Sequence, residues 1–122
     1  MTNVFEDQTK FMVACDQTVD TYNSDQYKLY LKLIREEYNE LMVALDQKDL
    51  VEQLDALEDL IVVIVGAMNS AGFNGEGAWN EVIRSNMSKI DPDTGKVKKR
   101  EDGKVLKPET FSPPNLTTFI KK

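Results

Sequence analysis

The chain has 122 residues, 41% of them hydrophobic and 30% charged, the size and mix of one ordinary globular domain rather than a disordered segment. Its 15 basic and 21 acidic residues give a net charge of −6, which argues against general nucleic-acid binding, because counterion release needs a basic surface. With no His and a single cysteine, Cys15, it can build no Ser-His triad, no His-based acid–base pair, no His-rich zinc site and no intrachain disulfide.

One thiol fits a reducing cytoplasm, so the expected location is cytoplasmic. The longest apolar run, Leu60–Met68, is far short of the ~20 residues of a membrane span. The first residues lack a basic region followed by an apolar stretch, so neither a signal peptide nor a membrane partner is expected.

From about Asn3 to Val19, the residues Val4, Phe5, Gln8, Phe11, Met12, Cys15 and Val19 recur at spacings of three and four and predict a helix with Cys15 in the core. Asn23-Ser24-Asp25 offers N-caps for a second helix to about Asp46, striped by Tyr27, Tyr30, Leu31, Ile34, Tyr38, Leu41 and Leu45. A break at Gln47-Lys48-Asp49 precedes a third helix, about Leu50 to Asn69. The β-branched run Leu60–Val65 could suit a strand, but Leu50, Leu54, Leu57, Leu60 and Ile61 carry helical spacing into it without a turn signal. It therefore reads as one helix, buried all round in its second half. Ser70–Gly75 supplies C-cap chemistry, and a fourth helix spans about Glu76 to Ser88, with Ala78, Trp79, Val82, Ile83 and Met87 on one side. All four prolines fall in the last third. There Asp91–Gly95 reads as a turn, Lys96–Lys107 as a small hairpin turning at Asp102-Gly103, and Pro108–Lys122 as an irregular tail. The expectation is one all-α domain over residues 1–122, of four-helix-bundle type, with a helical core over about 3–89 and a hairpin and tail over about 91–122. Phe11, Tyr27, Tyr30, Tyr38 and Trp79 are expected to be mostly core.

The informative residues are carboxylates. Glu37 and Glu40 lie one turn apart on one face of the second helix, with Glu36 over Glu40. On the third helix Asp55 and Asp59 are four apart, Asp59 directly before the apolar run. Helices joined by a short loop pack antiparallel, so these acids should meet. Such crowding is costly unless a cation neutralises it. Hard divalent ions with oxygen ligands fit, and the absence of His selects Mg²⁺, or Mn²⁺ as a substitute, over zinc. Such a centre polarises a phosphoryl oxygen and generates hydroxide from water. The plain alternative is a solvated acidic face, and for Glu52 and Glu58 that is the preferred reading.

Charge is polarised along the chain: residues 1–83 hold 5 basic and 16 acidic residues, and residues 84–122 hold 10 basic and 5 acidic. Arg84, Asn86 and Lys89 close the fourth helix, and Lys98, Lys99, Arg100, Lys104 and Lys107 follow. Such cations and amides can hold polyphosphate oxygens that metals leave uncovered. Asn86 suits either a helix cap or a phosphate donor. Asp91-x-Asp93-x-Gly95 starts like a calcium loop, but Gly95 and Lys96 stand at positions five and six, where a third ligand and a glycine belong.

These motifs resemble the MazG-like all-α nucleoside triphosphate pyrophosphohydrolases, specifically a phosphoribosyl-ATP pyrophosphohydrolase-like subgroup frequent in phages and bacteria that includes dUTP-cleaving members. Glu36-Glu37-Tyr38-Asn39-Glu40 is similar to the family's E-E-x-x-E. The similarity continues through Asp55–Leu60, Glu81–Lys89 and Arg100–Pro108. It implies Glu37, Glu40 and Asp59 as metal ligands, with Glu36 assisting. The family's second acid motif, E-x-x-D, is broken here by Ala56, and Asp55 is the expected substitute. Arg84, Asn86, Lys89, Lys104 and Lys107 are the expected substrate contacts, and the resemblance further implies a homodimer or homotetramer whose sites draw on more than one chain. The expected reaction is Mg²⁺-dependent cleavage of a nucleoside triphosphate, dUTP preferred, to monophosphate and pyrophosphate, with Glu37 or Glu40 orienting or deprotonating the attacking water. The alternatives are phosphoribosyl-ATP as substrate, disfavoured by the Asp-Gly-Lys hairpin, or a non-catalytic oligomerisation or regulatory module.

Overall fold

Four α-helices carry the chain: α1 (Val4–Ala14), α2 (Ser24–Asp46), α3 (Leu50–Ser70) and α4 (Gly75–Met87), followed by a 3₁₀ turn at Thr117–Phe119. The structure is a computed structural model describing residues 2–122. It forms two compact units: one runs to Gly75 and takes in Ile120–Lys122, the other is Glu76–Phe119. Among the described residues no helix is long and apolar enough to cross a membrane.

In the first unit each helix begins on a side-chain cap. Asn3, Asn23 and Asp49 accept the backbone N–H of Glu6, Gln26 and Glu52 at 2.9, 3.2 and 3.1 Å. Each ends in a Schellman closure: Gln17 N–H donates to Met12 O, Asp49 N–H to Ala44 O and Phe73 N–H to Met68 O. The left-handed residues there are Asp16, Lys48 and Gly72. The closure at Asp16 ends α1 at Ala14, five residues before the Val19 that periodicity predicts, and leaves Cys15 exposed rather than in the core.

α2 and α3 pack antiparallel, as a row of facing residues shows. Asn23 N–H donates to Ser70 O (2.8 Å), Gln26 Nε2 to Ser70 Oγ (2.8 Å), and at the other end Gln53 Nε2 to Ala44 O (3.4 Å). Between them the Tyr30 ring lies on the backbone of Gly66, where any added Cβ would run into the ring. Gln17 Oε1 accepts from the Tyr30 hydroxyl at 2.5 Å, which fixes the ring. Met12 of α1 joins Tyr30, Val63 and Ala67 in the core, and Asn69 Nδ2 ties α3 to Thr9 at 3.0 Å.

The core is smaller than the periodicity suggests. Ile61, Val62 and Ile64 are about 40% exposed in the run expected to be buried all round, and Phe11, Tyr38 and Trp79 are more than half exposed. In the first unit α1 and α2 pack on α3.

In the second unit the hairpin is real but minimal. A single antiparallel bridge joins Lys99 and Val105, and Gly103, at φ 88°, completes a three-residue loop in which Arg100 N–H donates to Lys104 O (2.8 Å).

Gly66→Ala is expected to cost about 1–3 kcal/mol through overpacking against Tyr30. Urea denaturation checks it; an unchanged midpoint would show that the ring does not pin the α2–α3 spacing.

Candidate active site

The register that seats Tyr30 on Gly66 brings Glu37 of α2 opposite Asp59 of α3, with Glu40 one turn along. One carboxylate oxygen from each of Glu37, Glu40 and Asp59 lies within 4.8 Å of the others. Glu37 and Asp59 are half-buried and Glu40 is exposed, so the group sits at the edge of the α2–α3 interface. Oε2 of Glu37 is buried with no hydrogen-bond partner. A buried, unpartnered carboxylate oxygen is costly and calls for a cation or a proton. Glu37 is accordingly pushed up to about 7, by burial first, then by the Glu40 carboxyl beside it and the charges of Asp59 and Asp55. Asp59 is raised too, by burial and by the charges of Asp55 and Glu40.

Asp55 and Glu36 stand outside this group of three. Asp55 is exposed and acts on Glu37 and Asp59 through its charge. Glu36, one residue before Glu37 and so turned about 100° around the helix, has an oxygen 4.0 Å from Lys32 Nζ. Ala56, which breaks the E-x-x-D motif, is buried. Beyond Glu40 a cavity of about 390 Å³ is lined by Asn39, Val43, Ala44, Gln47 and Glu52 as well.

The three-oxygen set fits a hard divalent ion: its donors are all carboxylate, and one of them has no partner. Glu37, Glu40 and Asp59 would hold the ion, which would neutralise their repulsion and supply Lewis acidity at a phosphoryl oxygen.

The expected phosphate contacts lie in the second unit. Lys89 and Lys107 line a cavity of about 520 Å³, together with Lys98, Asp91, Asp93 and Glu109. Their ammonium groups stand 5.8 and 5.1 Å from the centre of the Phe111 ring. Asn86 Oδ1 accepts from Lys89 Nζ at 3.1 Å. Arg84 grips Glu81, and Lys104 lies exposed on the hairpin. No sequence pattern singles out Phe111, which sits in the irregular tail. Glu81, by contrast, precedes Arg84 by three residues, a helical pairing distance.

An all-α chain with a carboxylate cluster able to hold a divalent ion suits one class, the all-α nucleotide pyrophosphohydrolases. The model of the phosphoribosyl-ATP pyrophosphohydrolase family matches residues 10–86, and the chain belongs to that family, within the MazG-like all-α NTP pyrophosphohydrolase superfamily. It is thus a hydrolase of nucleotide pyrophosphate bonds, which sets aside the non-catalytic module. Its family is typically divalent-metal dependent. The matched stretch contains Glu36, Glu37, Glu40, Asp55, Asp59, Arg84 and Asn86; Lys89, Lys104 and Lys107 lie beyond it. No curated protein matches the chain.

The raised Glu37 carboxyl sets a stability test. Its folded value, about 7, lies above its ordinary 4.5, so the stability it contributes is present below 4.5 and lost as pH rises through 7. Metal-free protein should therefore melt at lower temperature at pH 8 than at pH 6. Glu37→Gln should flatten that slope and raise the pH 8 melting temperature. Calorimetry giving the same slope for both proteins would contradict the crowding.

Proposed function

We propose that the whole chain acts as one Mg²⁺-dependent domain that cleaves a nucleoside triphosphate, dUTP foremost, between the α- and β-phosphates, giving the monophosphate and pyrophosphate. The observation that carries this reading is the convergence of Glu37, Glu40 and Asp59 around an unpartnered carboxylate oxygen. These three would hold Mg²⁺, which supplies charge neutralisation at the phosphates. Glu40, the exposed member, would orient the attacking water, with Glu37 as the other candidate. Asp55 and Glu36 would add negative potential around the ion. Lys89, Lys107, Asn86 and Lys104 would hold phosphate oxygens. Catalysis of this kind rests on positioning and charge neutralisation.

A second reading takes phosphoribosyl-ATP as the substrate, and the family match favours it. The dNTP reading keeps its support in the Asp102-Gly103-Lys104 hairpin, which lies beyond the matched residues. Both break the same bond and leave pyrophosphate.

A panel of dNTPs and phosphoribosyl-ATP with Mg²⁺ or Mn²⁺ separates them, scored for monophosphate product and pyrophosphate. Orthophosphate in place of pyrophosphate would contradict the cleavage position. Glu37→Gln and Asp59→Asn should each lower kcat/KM roughly a hundredfold or more. Activity that survives both substitutions would remove the three-carboxylate site from the reaction.

The same reading includes a homodimer or homotetramer. On α3, Leu50, Leu54, Leu57, Ile61 and Ile64 are 41–77% exposed and alternate at spacings of four and three, the pattern of a helix–helix seam. On α2, Leu31, Tyr38, Met42 and Leu45 are exposed as well. So much exposed apolar surface on one unit suits a second copy of the chain. Light scattering should give a multiple of 13.9 kDa, and Leu57→Asp should reduce it towards one chain. A wild-type monomer would contradict the assembly.

A further inference from the structure

The basic last third of the sequence offers Arg84 as a substrate contact, and in the structure its hydrogen bonds go to Glu81 and the tail. Its Nε donates to Glu81 Oε1 at 2.7 Å, and its Nη2 donates to Glu81 Oε2 at 3.0 Å and to the Pro113 carbonyl at 3.2 Å. Glu81 Oε2 also accepts the backbone N–H of Asn115 at 2.8 Å. One turn further along α4, Ser88 Oγ accepts the N–H of Ser112 at 2.8 Å and donates to Ser85 O at 2.6 Å, while the Thr110 hydroxyl donates to Ser88 O at 3.3 Å. Glu81, Arg84, Ser85 and Ser88 share one helical face, so this side of α4 straps down the segment Thr110–Asn115. The segment has no ladder of its own, and its backbone polar groups are met by these side chains.

The strap carries Phe111, and the Phe111 ring is where the Lys89 and Lys107 ammonium groups gather. Among the described residues neither lysine has a carboxylate partner within 4.0 Å, whereas Lys98 has Asp91 at 3.9 Å. Two cations that lie against one aromatic ring and line one cavity of about 520 Å³ are pre-arranged for an anion. An isolated exposed ion pair would do little, but a two-pronged Arg–carboxylate contact tied to two backbone groups is a fixed joint. Glu81 is held down at about 2, first by Arg84 and then by the Asn115 amide, which accords with a permanent joint.

We propose that Glu81 and Arg84 are positioning residues. They clamp the Thr110–Asn115 strap to α4, and through Phe111 they set the Lys89 and Lys107 ammonium groups for the phosphate chain of the nucleotide; Arg84 does not itself contact phosphate. This rests on the pyrophosphohydrolase reading for its ligand but not for its geometry.

The test compares wild type with Glu81→Gln, Arg84→Lys and the double variant, by steady-state hydrolysis of dUTP, by calorimetric binding of inorganic pyrophosphate, and by amide exchange. Each single variant should raise KM and the pyrophosphate Kd by roughly fivefold while kcat moves much less, because the loosened group binds rather than reacts. The double should be no worse than either single, since both cut one joint. Exchange at the Asn115 amide should quicken in all three. Two results overturn the proposal: Arg84→Lys behaving as wild type, which would make Arg84 a simple charge, or Glu81→Gln leaving Kd and Asn115 exchange unchanged. A wild type that hydrolyses no nucleotide sinks the pyrophosphohydrolase reading alone, because pyrophosphate binding and amide exchange still decide the clamp.

Discussion

Like-charge crowding at one point of the α2–α3 interface is the constraint on which the rest depends. The three-residue link Gln47–Asp49 and the seating of Tyr30 on Gly66 fix the antiparallel register, and that register forces Glu37 against Glu40 and Asp59. A protein selected for stability alone would have no reason to keep an unpartnered carboxylate oxygen there. Within the group Oε2 of Glu37 is cut off from solvent, and a divalent ion bound there would relieve the repulsion among the three carboxylates.

The first unit is also incomplete in another sense. Its buried apolar core is Met12, Tyr30, Ala44, Ala56, Val63, Val65, Ala67 and Ala71, four of them alanine, while the larger apolar side chains of α2 and α3 face outwards. This inversion makes sense if the thin α2–α3 pair is half of a bundle. The second unit is organised differently: the polar side chains of Glu81, Arg84 and Ser88 pin a proline-containing strap.

Much of this was legible in the sequence. Caps at Asn23 and Asp49, the helical stripes, and the absence of Gly and Pro before Gly66 set α2 and α3 almost to the residue. Spacing of three on α2, with Asp59 just before the apolar run, placed Glu37, Glu40 and Asp59 together. Three things were not legible. The helix end at Asp16 uses a non-glycine residue in the left-handed region, so nothing in the composition marks it. Periodicity finds the apolar face but does not say whether the chain or a partner covers it, which is why Phe11, Tyr38 and Ile64 read as core. Within the second unit, tail contacts join residues up to 34 apart through side chain to backbone bonds, such as Asn115 to Glu81, and no local pattern encodes these. Glu36 and Asp55 fall outside the group in which one oxygen each of Glu37, Glu40 and Asp59 lies within 4.8 Å of the others, a distance that helical spacing alone does not give.

The most direct measurement is the anomalous scattering of crystals grown with Mn²⁺. The account predicts a peak among Glu37, Glu40 and Asp59, with Oε2 of Glu37 within bonding distance of the ion. Three carboxylates splayed into solvent with no peak between them, at a Mn²⁺ concentration that supports hydrolysis, would contradict it.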